Sequence, residues 1–140
     1  MTEPKRNYLR PTSLDTTSTL GFWEGLKQRR FLTTRCTHCG EVFFPPRSHC
    51  PRCLGRDLAW VPLSGRGTLL SWTEVHIPGP DFDTPFLMGV VDLDEGLGRV
   101  VSRLMGVEES QLRFGLPVKV VYTDVDEGFT IYQFTAAGPD

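Results

Sequence analysis

The spacing of apolar and polar positions changes near residue 66. Upstream, one stretch has helical period: Phe22, Trp23 and Leu26 fall on one face of a helix that Ser18 or Thr19 can cap and that runs to about Arg30. Lys27, Arg29 and Arg30 then lie near its C-terminal end, where cations suit the helix dipole. Gly21 and Gly25 each weaken such a helix by about 1 kcal/mol relative to alanine, so its apolar face must pack on something, either the rest of this chain or another subunit. Residues 1–17 are polar and threonine-rich and predict an extended arm that orders only by lying on a surface. Residues 31–35 read as a short strand, and residues 58–62 lead into the turn Ser64-Gly65-Arg66-Gly67.

Downstream the period is two. Strands are predicted at 67–75, 86–93, 99–105, 118–123 and 129–134, and the alternation is clearest where Val118, Val120 and Tyr122 oppose Lys119, Val121 and Thr123. Asp94-Glu95-Gly96 and Asp126-Glu127-Gly128 make tight connections, and residues 108–113 form a helical turn after the third strand. Five strands interrupted in this way predict a mainly β protein whose larger part is an OB-fold barrel. The Pro/Gly-rich loop 77–85 joins the first two strands where OB folds commonly hold ligands, and reads equally as a rigid connector.

Composition sharpens this picture in two places. Residues 1–66 carry eleven Lys/Arg against five Asp/Glu, whereas residues 67–140 carry four against twelve, so a net charge of −2 conceals halves of +6 and −8. The basic half suits an anionic ligand or an acidic surface, and the acidic barrel would repel a phosphate backbone. The N-terminal residues offer Lys5, Arg6 and Arg10 with no apolar run behind them, so neither a leader nor a membrane span is expected, and the protein is expected in the cytoplasm. In a reducing compartment four cysteines within eighteen residues read as metal ligands.

Those cysteines form two C-x-x-C pairs, Cys36-Thr37-His38-Cys39-Gly40 and Cys50-Pro51-Arg52-Cys53. Spacing of three lets a tight turn aim both sulfurs at one ion, and the residues between the pairs suffice to bring them together. Four soft ligands leave no position for water, which predicts one structural zinc and no catalysis at the metal. His38 and His49 are superfluous as ligands, and two matched pairs exceed what a redox dithiol requires. No nucleophile elbow, His-Glu-x-x-His, P-loop or dinucleotide-binding glycine pattern occurs. His76, near Asp81 and Asp83, is the nearest thing to an acid/base pair, and reads more simply as a solvated loop histidine.

Taken together, Phe22-Trp23, Arg35-Cys36-Thr37-His38-Cys39-Gly40, Phe44-Pro45-Pro46-Arg47, Cys50-Pro51-Arg52-Cys53, Trp60, Ser64-Gly65-Arg66-Gly67 and Tyr132-Gln133-Phe134 resemble one family along almost the whole chain. It is the zinc-ribbon and OB-fold family of acyl-CoA-associated proteins, long known as a domain of unknown function. The one departure is that Leu54 stands between Cys53 and Gly55. The resemblance implies an N-terminal arm and helix over 1–32, a rubredoxin-like zinc ribbon over 33–62 and a five-stranded OB-fold barrel over 63–140.

It also implies a role. Relatives assemble with thiolase-like enzymes of the lipid-transfer-protein type that make or break acyl-CoA carbon–carbon bonds, including aldolases that shorten steroid side chains, and the catalytic groups belong to the partner. The expectation is a non-catalytic accessory subunit of a hetero-oligomer, binding acyl-CoA with Arg47 and Arg66 near its phosphates and meeting its partner through Phe22, Trp23, Leu26, Phe44 and Pro45. The competing expectations are a single-stranded nucleic-acid-binding module, disfavoured by the barrel's charge, and an autonomous enzyme using His76 and Asp83.

Overall fold

A computed structural model describes residues 19–77, 82–125 and 128–138. The predicted arm at 1–17, and most of the connection at 126–128, lie outside the described residues. Helix α1 (Leu20–Lys27) begins after Thr19, whose carbonyl accepts from the amides of Phe22 and Trp23 while its hydroxyl caps nothing. It is shorter than the predicted helix to Arg30. Arg29 adopts a left-handed φ of 60°, and the amides of Arg29 and Arg30 turn back to the carbonyls of Leu26 and Gly25, closing the helix in a Schellman motif. That position normally favours glycine. Here the guanidinium of Arg29 makes two parallel hydrogen bonds, 2.8 and 2.9 Å, to the carboxylate of Asp124.

Strands β1 (Leu32–Cys36), β2 (Val42–Phe43) and β3 (Leu58–Pro62) form an antiparallel sheet in the order β2-β1-β3. The first strand lies one residue later than predicted. The pattern of residues did not announce β2, which is two residues long, or β3, whose five residues are all paired with β1. Trp60 of β3 lies flat against Gly21, where any side chain would overlap the indole.

The remaining strands, β4 (Arg66–Val75), β5 (Phe86–Leu93), β6 (Arg99–Leu104), β7 (Pro117–Asp124) and β8 (Thr130–Ala136), close a barrel in the order β4-β5-β6-β8-β7. All five were expected, to within two residues at each end. A bulge between Leu69 and Ser71 bends β4, whose first residues also pair with β7 and so complete the closure. Closure between β6 and β8 is parallel and rests on a single pair, Leu104 with Phe134. A 3₁₀ turn at Glu109–Gln111 spans the gap before β7, and Glu108 and Gln111 close a capping box there.

One continuous core joins these parts. Phe22 and Leu26 of α1 are buried with Leu69, Val91, Leu104 and Phe134 of the barrel. Phe31, just before β1, is 2% exposed and packs its ring 5.2–6.3 Å from those of Phe44, Tyr132, Phe22 and Phe134. The helix therefore packs on its own barrel, and the ribbon inserts its aromatic root between them. Nothing in the described residues forms a helix long and apolar enough to cross a membrane.

Replacing Phe31 with alanine removes the ring shared by helix, ribbon and barrel, and is expected to cost about 3–5 kcal/mol in urea unfolding. Asp124 is held well below the usual carboxylate range, first by Arg29 and then by the hydroxyl of Thr130. Its folded state resists protonation more than its unfolded state, so this contribution is complete above about pH 4 and declines as pH falls below that. An Asp124→Asn variant should show a shallower acid limb in a stability-versus-pH profile.

Candidate metal centre and apolar groove

The two knuckles are built alike. In the first, the amide of Cys36 donates to the carbonyl of Glu41 (2.8 Å) and that of Gly40 to the carbonyl of Cys36 (2.9 Å). In the second, Cys50 donates to Gly55 (2.8 Å) and Leu54 to Cys50 (2.9 Å). The turn places Gly40 at φ 80° and Leu54 at φ 64°, so the inserted leucine takes the left-handed position that glycine takes in its twin. The ladder of hydrogen bonds is intact. Gly55 is closely approached for a different reason, since a Cβ there would stand 3.3 Å from the sulfur of Cys53.

Strand β1 delivers Cys36 to the cluster, and Thr37 fastens the first knuckle to the carbonyl of Asp57 through its amide (2.9 Å) and its hydroxyl (2.8 Å). All four sulfurs lie within 4.8 Å of one another, with Cys36 and Cys53 at 3.5 Å and Cys39 and Cys50 at 3.6 Å. Zinc–sulfur bonds of 2.3 Å in a tetrahedron require sulfur separations of about 3.8 Å, a value that lies between the 3.5 Å of Cys36 and Cys53 and the 4.8 Å that bounds the set. Cys36 and Cys50 are buried and Cys39 lies at the surface. Amides of Cys39, Arg52 and Gly55 point at the sulfurs of Cys36, Cys50 and Cys53 at 3.4–3.5 Å, the outer hydrogen bonds that stabilise metal-bound thiolate.

The electrostatics point the same way. The Cys39 amide leads in drawing the Cys36 thiol down to about 6. The Gly55 amide favours a thiolate at Cys53, yet the adjoining sulfur of Cys36, together with burial, pushes that thiol up to about 12. Four thiolates this close are tolerable only around a cation, and a closed set of four soft donors fits one structural zinc. His38 and His49 are exposed and stand outside the ligand group.

The other predicted residues are scattered. Arg47 is exposed in the segment between the knuckles, and Arg66 is exposed at the start of β4, opposite Lys119 of β7. The structure corrects the partner-binding expectation for Phe22 and Leu26, which are buried in the chain's own core. Phe44 is half-buried against Phe31 and Phe22, while Pro45 is exposed. His76 lies 3.0 Å from Glu74 at the surface.

Trp23 proves to line a feature that residue-by-residue reading missed. A groove of about 510 Å³ lies over β5, β6 and β8, with Trp23 and Phe82 among the residues that line it. Phe86, Met88, Val101 and Tyr132 give it an apolar lining, to which Ser102, Arg103 and Gln133 add polar side chains. Phe82 stacks on Phe86 (5.4 Å), and the guanidinium of Arg103 lies 4.8 Å above the Phe86 ring. A signal was present in the sequence: Phe86, Met88 and Val90 alternate with Leu87, Gly89 and Val91, so strand β5 is apolar on both faces, which a barrel strand with one solvated side need not be.

Leu54 provides a test of the second knuckle. Leu54→Gly relieves a left-handed leucine that is largely exposed, so it should stabilise the protein by about 1 kcal/mol with zinc content unchanged, measured by thermal unfolding and metal analysis.

Comparison with known proteins agrees with this architecture. Two family models match in tandem: "ChsH2, rubredoxin-like zinc ribbon domain" over residues 23–59 and "ChsH2, C-terminal OB-fold domain" over residues 60–123. A DUF35 domain-containing scaffold protein of Methanothermobacter thermautotrophicus is 33% identical over 79% of this chain and 86% of its own length. A probable enoyl-CoA hydratase alpha subunit of Thermomonospora curvata is 32% identical over 99% of this chain, which spans only 43% of that relative. The benzoylsuccinyl-CoA thiolase subunit BbsA of Thauera aromatica is 41% identical over 54% of this chain and 52% of its own length. Among solved structures, a chain of the Ltp2-ChsH2(DUF35) aldolase superposes with a TM-score of 0.80 at 31% identity, covering 92% of this chain and all of that one. The chain belongs to the ChsH2-like DUF35 family, a rubredoxin-like zinc ribbon followed by an OB-fold barrel.

Proposed function

We propose that this protein is a non-catalytic accessory subunit of a thiolase-superfamily complex that makes or breaks carbon–carbon bonds in acyl-CoA substrates. The observation that carries this reading is the match to the Ltp2-ChsH2(DUF35) aldolase over the whole of the matching chain. A relative that is a thiolase subunit and another that is a scaffold protein support the same role.

Division of labour follows from the geometry. The metal is closed off by four thiolates and offers no position to a substrate, so its work is to hold the ribbon in shape. Partner contact falls to surface that the fold leaves outside, with Pro45 and the free side of Trp23 retained from the expected set. Arg47 and Arg66, both exposed, remain the choice for the CoA phosphates because guanidinium groups bind phosphate bidentately. The reducing cytoplasm suits four cysteines kept as thiolates.

Coexpression with a thiolase-like protein encoded beside this chain should yield a complex that copurifies through size exclusion and turns over an acyl-CoA. Cys50→Ser should lose zinc and complex together, leaving the partner's catalytic residues chemically intact. A stable monomer indifferent to both partner and acyl-CoA sinks the proposal.

A further inference from the structure

Among the described residues two side chains other than glycine occupy the left-handed region, Arg29 at φ 60° and Leu54 at φ 64°. A side chain there is crowded by the neighbouring carbonyl, a strain that persists only where the surroundings offset it or function uses it. Arg29 has its compensation within the fold, the paired hydrogen bonds to Asp124. Leu54 is placed differently. It is 69% exposed and belongs to neither of the chain's apolar clusters. Gly40 fills the same position in the twin knuckle, so the turn itself does not call for a leucine.

The knuckle that carries this leucine is held on all sides. The Leu54 amide donates to the carbonyl of Cys50 (2.9 Å), and the Cys50 amide donates to the carbonyl of Gly55 (2.8 Å). The amides of Arg52 and Gly55 point at the sulfurs of Cys50 and Cys53, each at 3.4 Å. An apolar side chain on so fixed a backbone loses little conformational entropy when another molecule buries it, which favours it as an interface anchor. Its surroundings say what it fits. Residues 42–56 hold Arg47, Arg52 and Arg56 and no acidic residue, and Arg52 and Arg56, on either side of Leu54, are both exposed. Arg52 leans on Glu41 at 3.3 Å yet keeps 72% of its side chain in solvent. A leucine between guanidinium groups matches an apolar socket rimmed by carboxylates. A second copy of this chain matches less well, since the apolar groove it would present contains the guanidinium of Arg103.

We propose that the tip of the second knuckle is a surface by which this protein docks on its enzyme partner, Leu54 entering an apolar socket and Arg52 and Arg56 meeting carboxylates at the rim. This rests on the reading of the protein as an accessory subunit and deepens it, naming a contact on the ribbon where Phe22 and Leu26 have turned inward. It also gives the four thiolates a second task, which is to hold in shape the turn that makes the contact.

The test is the affinity of the zinc-loaded protein for the thiolase-like enzyme encoded beside it, read by biolayer interferometry, with the chain alone followed by sedimentation. Leu54→Gly removes the side chain and the backbone strain together, so the melting temperature should hold or rise and the zinc content should match the parent chain. Affinity should nevertheless fall by about 10- to 100-fold, the range expected for a leucine buried at a contact. Leu54→Asn tolerates the left-handed turn but is polar, and should weaken the complex to a similar degree. Arg56→Glu should slow association and flatten its dependence on salt. Zinc content and melting temperature of each variant report whether it has folded, and either folded Leu54 variant suffices for the comparison. Unchanged affinity in a folded Leu54 variant overturns the docking surface and leaves the accessory role standing. An association rate that Arg56→Glu leaves unchanged overturns the acidic rim. A parent chain that joins no thiolase-like enzyme overturns both the surface and the role. Self-association that Leu54→Gly abolishes assigns the knuckle to a second copy and overturns the choice of partner.

Discussion

Everything in this molecule leans on the ring of Phe31. It sits at the point where α1 ends and the ribbon sheet begins, and it touches a ring from each of the other parts: Phe22 from the helix, Phe44 from the ribbon, Tyr132 and Phe134 from the barrel. Aromatic contacts of this kind, three of them edge-on and that to Phe44 tilted, add about 0.5–1.5 kcal/mol each beyond the area they bury. Their number at one residue means that the helix, the ribbon and the barrel cannot shift independently. The amide of Leu63 donates to the carbonyl of Phe31 (2.8 Å), so the chain entering the barrel is pinned to the same residue.

The zinc site stands at the other end of β1 from Phe31, and the two are parts of one lever. Around the metal ligands the ribbon has only a small cluster of its own, Cys36, Phe43 and Cys50 with Leu58 beside them. Such a cluster is too small to order a loop of this length, and metal–thiolate bonds supply the missing free energy. Loss of the ion would free the end of β1 and the segment holding Phe44, and through them would loosen a wall of the barrel core.

The barrel in turn offers what the ribbon cannot, a wall of apolar side chains facing outward beside a gap between two strands. OB folds commonly use this part of the barrel for ligands, and here it is lined mainly by apolar side chains, with the guanidinium of Arg103 over the Phe86 ring. Trp23 matters for this reason: it belongs to α1, so the helix that seals the core with Phe22 and Leu26 also builds one side of the groove.

Much of this was legible in the residues alone. The C-x-x-C spacing names the metal and its geometry because thiolate chemistry is local to a turn, and the period-two runs name the five barrel strands because alternation is a property of each strand by itself. The ribbon strands β2 and β3 were not legible, since one is too short to show a period and both exist only through pairing with β1. Nor could the sequence say which neighbour receives Phe22 and Leu26, because an apolar helix face looks the same whether it meets its own barrel or another protein. The four cysteines and the barrel strands were therefore determined by the chain itself. The burial of the helix, the left-handed turn at Arg29 with its bridge to Asp124, and the groove that Trp23 shares with β5, β6 and β8 were decided only by the tertiary structure, since each depends on contact between residues that lie far apart along the chain.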